Sequence, residues 1–280
     1  MPEPLLEQVF TTSGEPTYTY VQPSNSSALT LALRSPGRGV VIEGPSGIGK
    51  TTAVTATLRE LGILDTSLTL SARDPDDVEI IRSLPSTRDF GTVVIDDFHR
   101  LPAVDQDSIA QLMKLVADKQ DAGRKVIVLG INQAGSNLIR FARDAALRIS
   151  RIRFESEPDD RVERMISQGE EALNISIESR ESIVEAAQGS FYLAQLLCSQ
   201  ICVLSDVLER QTETRPLNVP FTSAKREVMA QEREKFGDIL EAFAKGPRFR
   251  PGGRANYFHI LRWLAESPEA TINPLDEANR

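Results

Sequence analysis

The octapeptide GPSGIGKT, Gly44 to Thr51, constrains this chain more than any other feature. It matches G-x-x-x-x-G-K-[ST] and lies between the apolar run Val40, Val41, Ile42 and a helical run with Val54, Leu58 and Leu61 on one side. A strand, a glycine turn and a helix in that order aim backbone N–H groups at one point, where the helix N-terminus adds positive potential. That geometry suits the phosphates of a nucleotide. Gly44, Gly47 and Gly49 permit dihedrals and close approaches that a Cβ would block, and Pro45, Ser46, Ile48 and Thr52 complete the cradle. Lys50 is expected to reach the β and γ phosphates and Thr51 to offer its hydroxyl to Mg²⁺. ATP or ADP with Mg²⁺ is the expected cofactor.

Around this loop the pattern alternates strand and helix. Apolar runs without polar alternation at Val93 to Ile95 and Lys125 to Leu129 read as parallel strands buried on both faces, with a shorter strand near Ser67 to Leu70 and a last one at Arg151 to Phe154. Helices are expected at about Asp74 to Leu84, through Ile109, Leu112, Met113, Val116 and Ala117, and at Asn137 to Leu147. The fold class is therefore α/β, a parallel-sheet P-loop core over residues 37–155, because parallel pairing needs such crossovers. Residues 1–36 read as a lead-in segment in which TYTYV, Thr17 to Val21, alternates like a strand. After Glu155 the strand signals stop, and residues 156–212 read as an all-helical unit with helices at Pro158 to Ala172, Glu178 to Ala187 and Phe191 to about Leu208. Residues 213–280 hold a further helix, Lys225 to Phe243, a basic glycine-rich stretch and an amphipathic run around Ile260, Leu261 and Leu264.

A second constellation sits at TVVIDDFHRL, where the apolar strand delivers Asp96 and Asp97 to its carboxyl end, the edge at which open α/β sheets bind ligands. Asp96 is expected to hold Mg²⁺ opposite Thr51, and Asp97 to orient or activate an attacking water. A pair of turn acids capping the next helix would look the same in isolation. Because aspartate is one methylene shorter than the commoner glutamate, slow turnover is expected. Asn132, after the strand ending at Leu129, would emerge at the same edge and help position the water; Asn also serves turns. Arg148, Arg151 and Arg153 cluster at the last strand, and Arg148 is the first choice for an arginine finger acting on a neighbouring subunit. Tyr20, in the lead-in, is a candidate cover for the base, and His99 reads as a histidine bonded to backbone where a helix begins.

Bulk properties narrow the class. Cys198 and Cys202, four apart in an apolar helix, read as small buried hydrophobes rather than a disulfide, and two histidines without a Cys/His cluster give a zinc site no support. No segment approaches the ~20 apolar residues a membrane span needs, so a cytoplasmic protein is expected. A net charge of -8 argues against a surface that embraces nucleic acid throughout, although a local basic patch remains compatible with it.

Taken in order, the P-loop, the hhhhDD form VVIDD, the string LGINQAGSNLIRFA and the run RISRIRFESEPDDRVERMISQGEEALNI resemble the AAA+ and STAND branch of P-loop ATPases, and more narrowly bacterial STAND-type ATPases, over residues 8–210. The resemblance implies a sheet in the order 5-1-4-3-2 and a helical lid over the nucleotide. It further implies ADP-to-ATP exchange coupled to homo-oligomer formation, with a sensor or effector partner, often in anti-phage defence. In the matching lid segment GSFYLAQLL, Phe191 stands where the family commonly has Pro, and no arginine falls in the lid helix where many AAA+ proteins carry their second sensor. Residues 256–280 resemble the opening helices of a winged-helix domain. The preferred reading is a slow regulatory ATPase switch. Its rival is a DNA-handling AAA+ ATPase of the initiator or transposition-regulator kind, with Lys245, Arg248, Arg250 and Arg254 on phosphates.

Overall fold

A computed structural model describes residues 3–131, 148–245 and 262. The chain divides into two compact units, Met1–Phe221 and Thr222–Arg280.

The first unit is organised by a five-stranded parallel sheet of β1 (Gly39–Glu43), β2 (Ser67–Ser71), β3 (Gly91–Asp96), β4 (Arg124–Gly130) and β5 (Ile149–Arg153), in the order β2-β3-β4-β1-β5. Read from the other edge this is the expected 5-1-4-3-2. The two central strands β1 and β4 are buried at every position, as unalternated apolar runs require. Because successive side chains leave opposite faces, Val40, Ile42, Ile127 and Leu129 pack on one side with α2 (Ser26–Arg34) and α3 (Lys50–Glu60). Val41, Val93, Ile95, Val126 and Val128 pack on the other with α4 (Pro75–Ser83) and α5 (Ala103–Asp118). The edge strands β2 and β5 are only partly buried, with Leu70 the buried residue of β2 and Ile149 and Ile152 those of β5.

Helix boundaries follow local chemistry. Asp74 caps α4 by accepting from the Asp76 N–H at 2.9 Å, with Pro75 at the first position. Gly62, at φ +69°, follows α3 where a stop was expected. The helix expected at Asn137 to Leu147 lies outside the described residues.

Beyond β5 the chain builds α6 (Asp159–Leu173), α7 (Arg180–Ala187) and α8 (Phe191–Leu204). The expectation of an all-helical unit here is corrected: β6 (Ile175–Ile177) and β7 (Arg215–Leu217) form a small parallel sheet. Asn174, in the left-handed region at φ 54°, ends α6 and starts β6, and its side chain bonds Gln211 O and the Thr214 hydroxyl at 3.0 and 2.8 Å. Buried Glu170 accepts from the Ile177 N–H at 2.7 Å and pairs with Arg180, so the unit also carries an ionic centre.

The lead-in is corrected as well. Thr17 to Val21 is not a strand; it is irregular chain whose alternate burial comes from Thr19, which donates to Val9 O at 2.8 Å and accepts from Gln195 of α8 at 2.8 Å. The short helix α1 (Leu6–Val9) and the residues beside it lie on the helical unit: the Leu6 N–H donates to Leu208 O and the Arg210 N–H to Pro4 O. A Cβ on Gly169 of α6 would fall 2.3 Å from the Phe10 ring. Residues 3–21 are thus a strap on the helices that also meets α3 through the Glu15–Arg59 pair at 2.8 Å. Residues 22–25 then cross to the sheet, where α2 begins.

From Thr222 onward the second unit holds α9 (Phe221–Lys245), a charged helix that exposes Met229 and Phe236 and carries a Lys235–Glu232 pair at 2.8 Å. Apart from Arg262, the winged-helix-like residues and the amphipathic run lie outside the described residues. No described helix is long and apolar enough to cross a membrane.

Candidate functional site

The carboxyl ends of β1 and β3 bring the two sequence motifs together. Strand β1 runs into the loop through Gly44, where a Cβ would stand 2.5 Å from the Phe154 carbonyl oxygen, so only glycine lets β5 and the loop approach this closely. Gly47 and Gly49 have φ of +76° and +90°, left-handed values that reverse the chain and present its N–H groups inward before α3. Nothing lies within 4 Å of a Cβ position on Gly49, so the cradle is open there.

Lys50 starts α3 and folds its ammonium over the loop, donating to Gly44 O at 2.9 Å and Pro45 O at 2.7 Å. An ammonium carries three donors, and two are engaged in shaping the loop. Burial lowers the Lys50 pKa, while Asp96 and then Asp97 pull it back up and favour the charged form a phosphate needs.

Across from it, the Thr51 hydroxyl donates to Asp96 Oδ2 at 2.8 Å, and Asp96 Oδ1 accepts from the Asp97 N–H at 2.7 Å. A hydroxyl and a carboxylate in contact suit Mg²⁺, which takes hard oxygen ligands and keeps most of its shell as water and phosphate oxygens. For the same reason the site has no need of a side-chain cage, and no group of three or more His, Cys, Asp or Glu with metal-holding geometry occurs among the described residues. The residues present therefore fit a nucleotide-bound magnesium ion, which would neutralise charge on the phosphate chain when bound.

Asp97 takes a left-handed conformation at φ 53°, a strained value for a residue with a side chain. Its carboxylate is engaged by Arg73, whose Nη2 donates to Oδ1 at 3.2 Å and whose Nε faces Oδ2. Arg73 follows β2 in a turn fixed by the Ala72 N–H to Asp96 O bond, 3.0 Å, and by Asp77, which accepts from the Ser71 N–H at 2.8 Å. The Arg73 side chain is 61% exposed and that of Asp97 18%. The cation can therefore leave without unpacking anything. Sequence reading missed Arg73; the signal available was its place just past β2, the neighbour of β3.

Other expected residues fall elsewhere. Asn132 lies outside the described residues. Arg148 stands at the amino end of β5, paired with Asp118 of α5 and away from the P-loop of its own chain. Arg151 instead reaches Glu43, the last residue of β1, at 2.5 Å; the Glu43 side chain is 2% exposed and that of Arg151 30%, so a buried carboxylate is paired with a cation that reaches the surface. Tyr20 is acted on by Glu60, Glu15 and Arg59 at the carboxyl end of α3, about 15 Å along the helix from Lys50. Burial first, then the two acids, push its hydroxyl to about 12. Tyr192 is an aromatic residue placed against the loop: a Cβ on Gly47 would lie 3.5 Å from its Cβ and Cγ. The reading of His99 as bonded to backbone is not met at Nδ1, which is buried without a partner among the described residues. Cys198 and Cys202 are free and buried as expected; burial drives both thiols far up, Cys202 to about 12, so neither is a thiolate at neutral pH.

Residues 40–158 match the family model described as "ATPase family associated with various cellular activities (AAA)". The chain thus carries an AAA ATPase domain and is a nucleoside-triphosphate hydrolase. Among solved structures it is similar to the Thermotoga maritima RuvB Holliday junction branch migration motor, with a TM-score of 0.55 and 17% identity over 88% of this chain and 86% of that one. It is similar also to the Aeropyrum pernix ORC1 protein in complex with DNA, with a TM-score of 0.57 and 13% identity over 92% and 82%. The ADP form of the Aeropyrum pernix ORC2 protein aligns with a TM-score of 0.55 and 15% identity over 93% and 89%. At these identities the likeness is one of fold, the AAA+ arrangement of a P-loop sheet followed by a helical unit. No curated protein matches the chain.

Proposed function

We propose that this chain is a regulatory AAA+ switch of the STAND type, which binds ATP or ADP with Mg²⁺, hydrolyses slowly, and uses its nucleotide state to govern assembly with copies of itself or with an effector, as in anti-phage defence. The observation that carries this reading is the ion pair between Arg73 and Asp97. Both oxygens of the carboxylate that is to orient water are engaged by Arg73, so in this reading hydrolysis waits on the release of Arg73. In this reading Lys50 and the loop N–H groups hold the phosphates, Thr51 and Asp96 hold the metal ion, and Asp97 with Asn132 positions water. Arg148 completes the site of a neighbouring copy, an assembly step that would release it from Asp118.

Arg73→Ala tests the restraint. Turnover is expected to rise several-fold with nucleotide affinity unchanged; a fall to the rate of Asp97→Ala would show that Arg73 serves the chemistry instead. Sizing in ADP and in a slowly hydrolysed ATP analogue tests the switch, and an identical monomer in both, with the effector present, would sink it.

A second reading, a DNA-handling ATPase, is favoured by the likeness to RuvB and to ORC1 in complex with DNA. Its phosphate contacts would come from Lys245, Arg248, Arg250 and Arg254, of which the last three lie outside the described residues. Binding to duplex DNA that weakens steeply between 50 and 200 mM salt, on the order of tenfold or more, would favour it over the switch.

A further inference from the structure

Strand β1 is apolar until its last residue. After Val40, Val41 and Ile42 comes Glu43, directly before the first glycine of the P-loop, with its side chain 2% exposed. Its Oε2 accepts from Arg151 Nε at 2.5 Å and lies 4.0 Å from Arg153 Nε. The register sets Arg151 opposite Val41 and Arg153 opposite Glu43, so both cations stand on the face of β5 that corresponds to that of Glu43. Burying a carboxylate is costly, and a well-packed apolar side chain would hold two strands as firmly. What the ion pair adds is direction, because a guanidinium donates along fixed lines.

That direction is applied where the backbone ladder runs out. β5 is an edge strand that pairs with β1, and beyond β5 the Phe154 N–H still donates to Glu43 O at 2.7 Å. One residue later a Cβ on Gly44 would stand 2.5 Å from Phe154 O and 2.9 Å from Phe154 Cβ, so the loop leaves β1 pressed against the end of β5. Gly44 O in turn accepts from Lys50 Nζ at 2.9 Å. A line of contacts thus runs from Arg151 and Arg153 through Glu43 and Gly44 to the ammonium assigned to the phosphates. β5 is itself tied down, since Arg153 O accepts from Asn25 Nδ2 at 2.8 Å.

We infer that Glu43 is a positioning residue for nucleotide binding: its ion pair with Arg151, backed by Arg153, sets the entry of the P-loop against β5 and so the place of Gly44 and Lys50 beneath the phosphate chain. Glu43 acts through the loop and not on the reacting atoms. By charge alone it would hinder binding, because a carboxylate beside a phosphate site repels the ligand. Its cations offset that repulsion, and its use is to hold position. Removing the charge therefore pulls affinity in opposite directions through the two effects, and the sign of the change tells them apart. The inference rests on the nucleotide-binding reading above and names what sets the geometry of that site.

The test uses the full chain with Glu43→Gln, which keeps the volume and removes the charge, and Arg151→Lys, which keeps the charge and loses the guanidinium geometry. Glu170→Gln is the control, since it breaks another buried carboxylate–arginine pair, Glu170 with Arg180, in the helical unit. Affinity for fluorescent ADP and for a slowly hydrolysed ATP analogue, KM and kcat for ATP, and urea unfolding without nucleotide are measured for each. Glu43→Gln is expected to weaken both nucleotides about tenfold, the size of one misplaced hydrogen bond to a charged group, and to raise KM alike with kcat within twofold. Arg151→Lys should weaken them about threefold. Glu170→Gln should lose stability with affinity within twofold of the parent. Affinity that is unchanged or tighter in Glu43→Gln overturns the inference, as does a fall in kcat at constant KM or an equal loss of affinity in Glu170→Gln. If Glu43→Gln does not fold, Arg151→Lys decides alone. A parent chain that binds neither nucleotide would instead refute the nucleotide-binding reading, which separates the two failures.

Discussion

Two lysines stand at opposite ends of the central sheet, and both are bent over backbone carbonyls. Lys50, beyond the carboxyl end of β1, donates to Gly44 and Pro45. Lys125, near the amino end of β4 and 7% exposed, donates to Ala32 O at 2.9 Å, Ser35 O at 2.6 Å and Arg38 O at 3.2 Å. Desolvation lowers the pKa of each. What separates them is company: Asp96 and Asp97 favour the charged form of Lys50, whereas Arg38 opposes that of Lys125, which falls to about 8. The acids and the glycine turn make one end receptive to phosphate and metal. At the other, the lysine closes the carboxyl end of α2, where orphan carbonyls need donors, and does nothing more.

The comparison can be broken by exchange of roles. Lys50→Met is expected to lower nucleotide affinity by roughly two orders of magnitude or more while leaving denaturant stability nearly unchanged, since phosphate neutralisation is the task it loses. Equal binding in Lys50→Met, read by titration calorimetry, would erase the distinction between the two ends. Asp97→Asn removes one of the acids that mark the receptive end. Single-turnover hydrolysis should fall about 10²-fold with nucleotide still bound, the usual size of a lost general base; an unchanged rate would take Asp97 out of the chemistry.

Lys125→Met should act in the opposite sense. Losing the donor to three carbonyls is expected to cost about 2 kcal/mol in urea unfolding, after the relief of a buried charge is set against it, with nucleotide affinity within twofold of the parent. The smallest effect is a pH slope. Because the folded pKa of Lys125 lies below its unfolded value, the unfolded chain holds the extra proton between about pH 8 and the ordinary lysine range near 10.4. Stability from this group therefore rises with pH across that window, as its burial penalty disappears. The difference in stability between parent and Lys125→Met should widen from pH 8 to pH 10; a flat difference would mean that the three carbonyls hold the ammonium charged throughout.

Legibility in the sequence followed the length and regularity of each signal. Unalternated runs such as Val40 to Ile42 and Lys125 to Leu129 announced the central strands, and the Gly44 to Thr51 spacing fixed which sheet edge carries the site. β6 and β7 went unseen because three residues each, ISI and RPL, are too short to show a period. Thr17 to Val21 misled for a sharper reason: period-two burial there is produced by the side-chain bonds of Thr19, not by a backbone ladder. The acids of the site were legible as a strand-end pair, but their partner was not. An arginine 24 residues before Asp97 gives no sign of its contact until β2 is laid beside β3. The same holds for Tyr192, whose meeting with Gly47 depends on how the chain folds back after β5.

The strap has a mechanical consequence. The helical unit is joined to the sheet by two lengths of chain, residues 22–25 and the linker after β5, and these lie side by side: the Ser24 N–H donates to Glu157 Oε2 at 2.9 Å and Asn25 Nδ2 to Arg153 O at 2.8 Å. Arg161 clasps both, reaching Gln22 O and Glu157. Any motion of the helices over the P-loop must therefore carry the two lengths together or break the bonds of Ser24, Asn25 and Arg161 that fasten them.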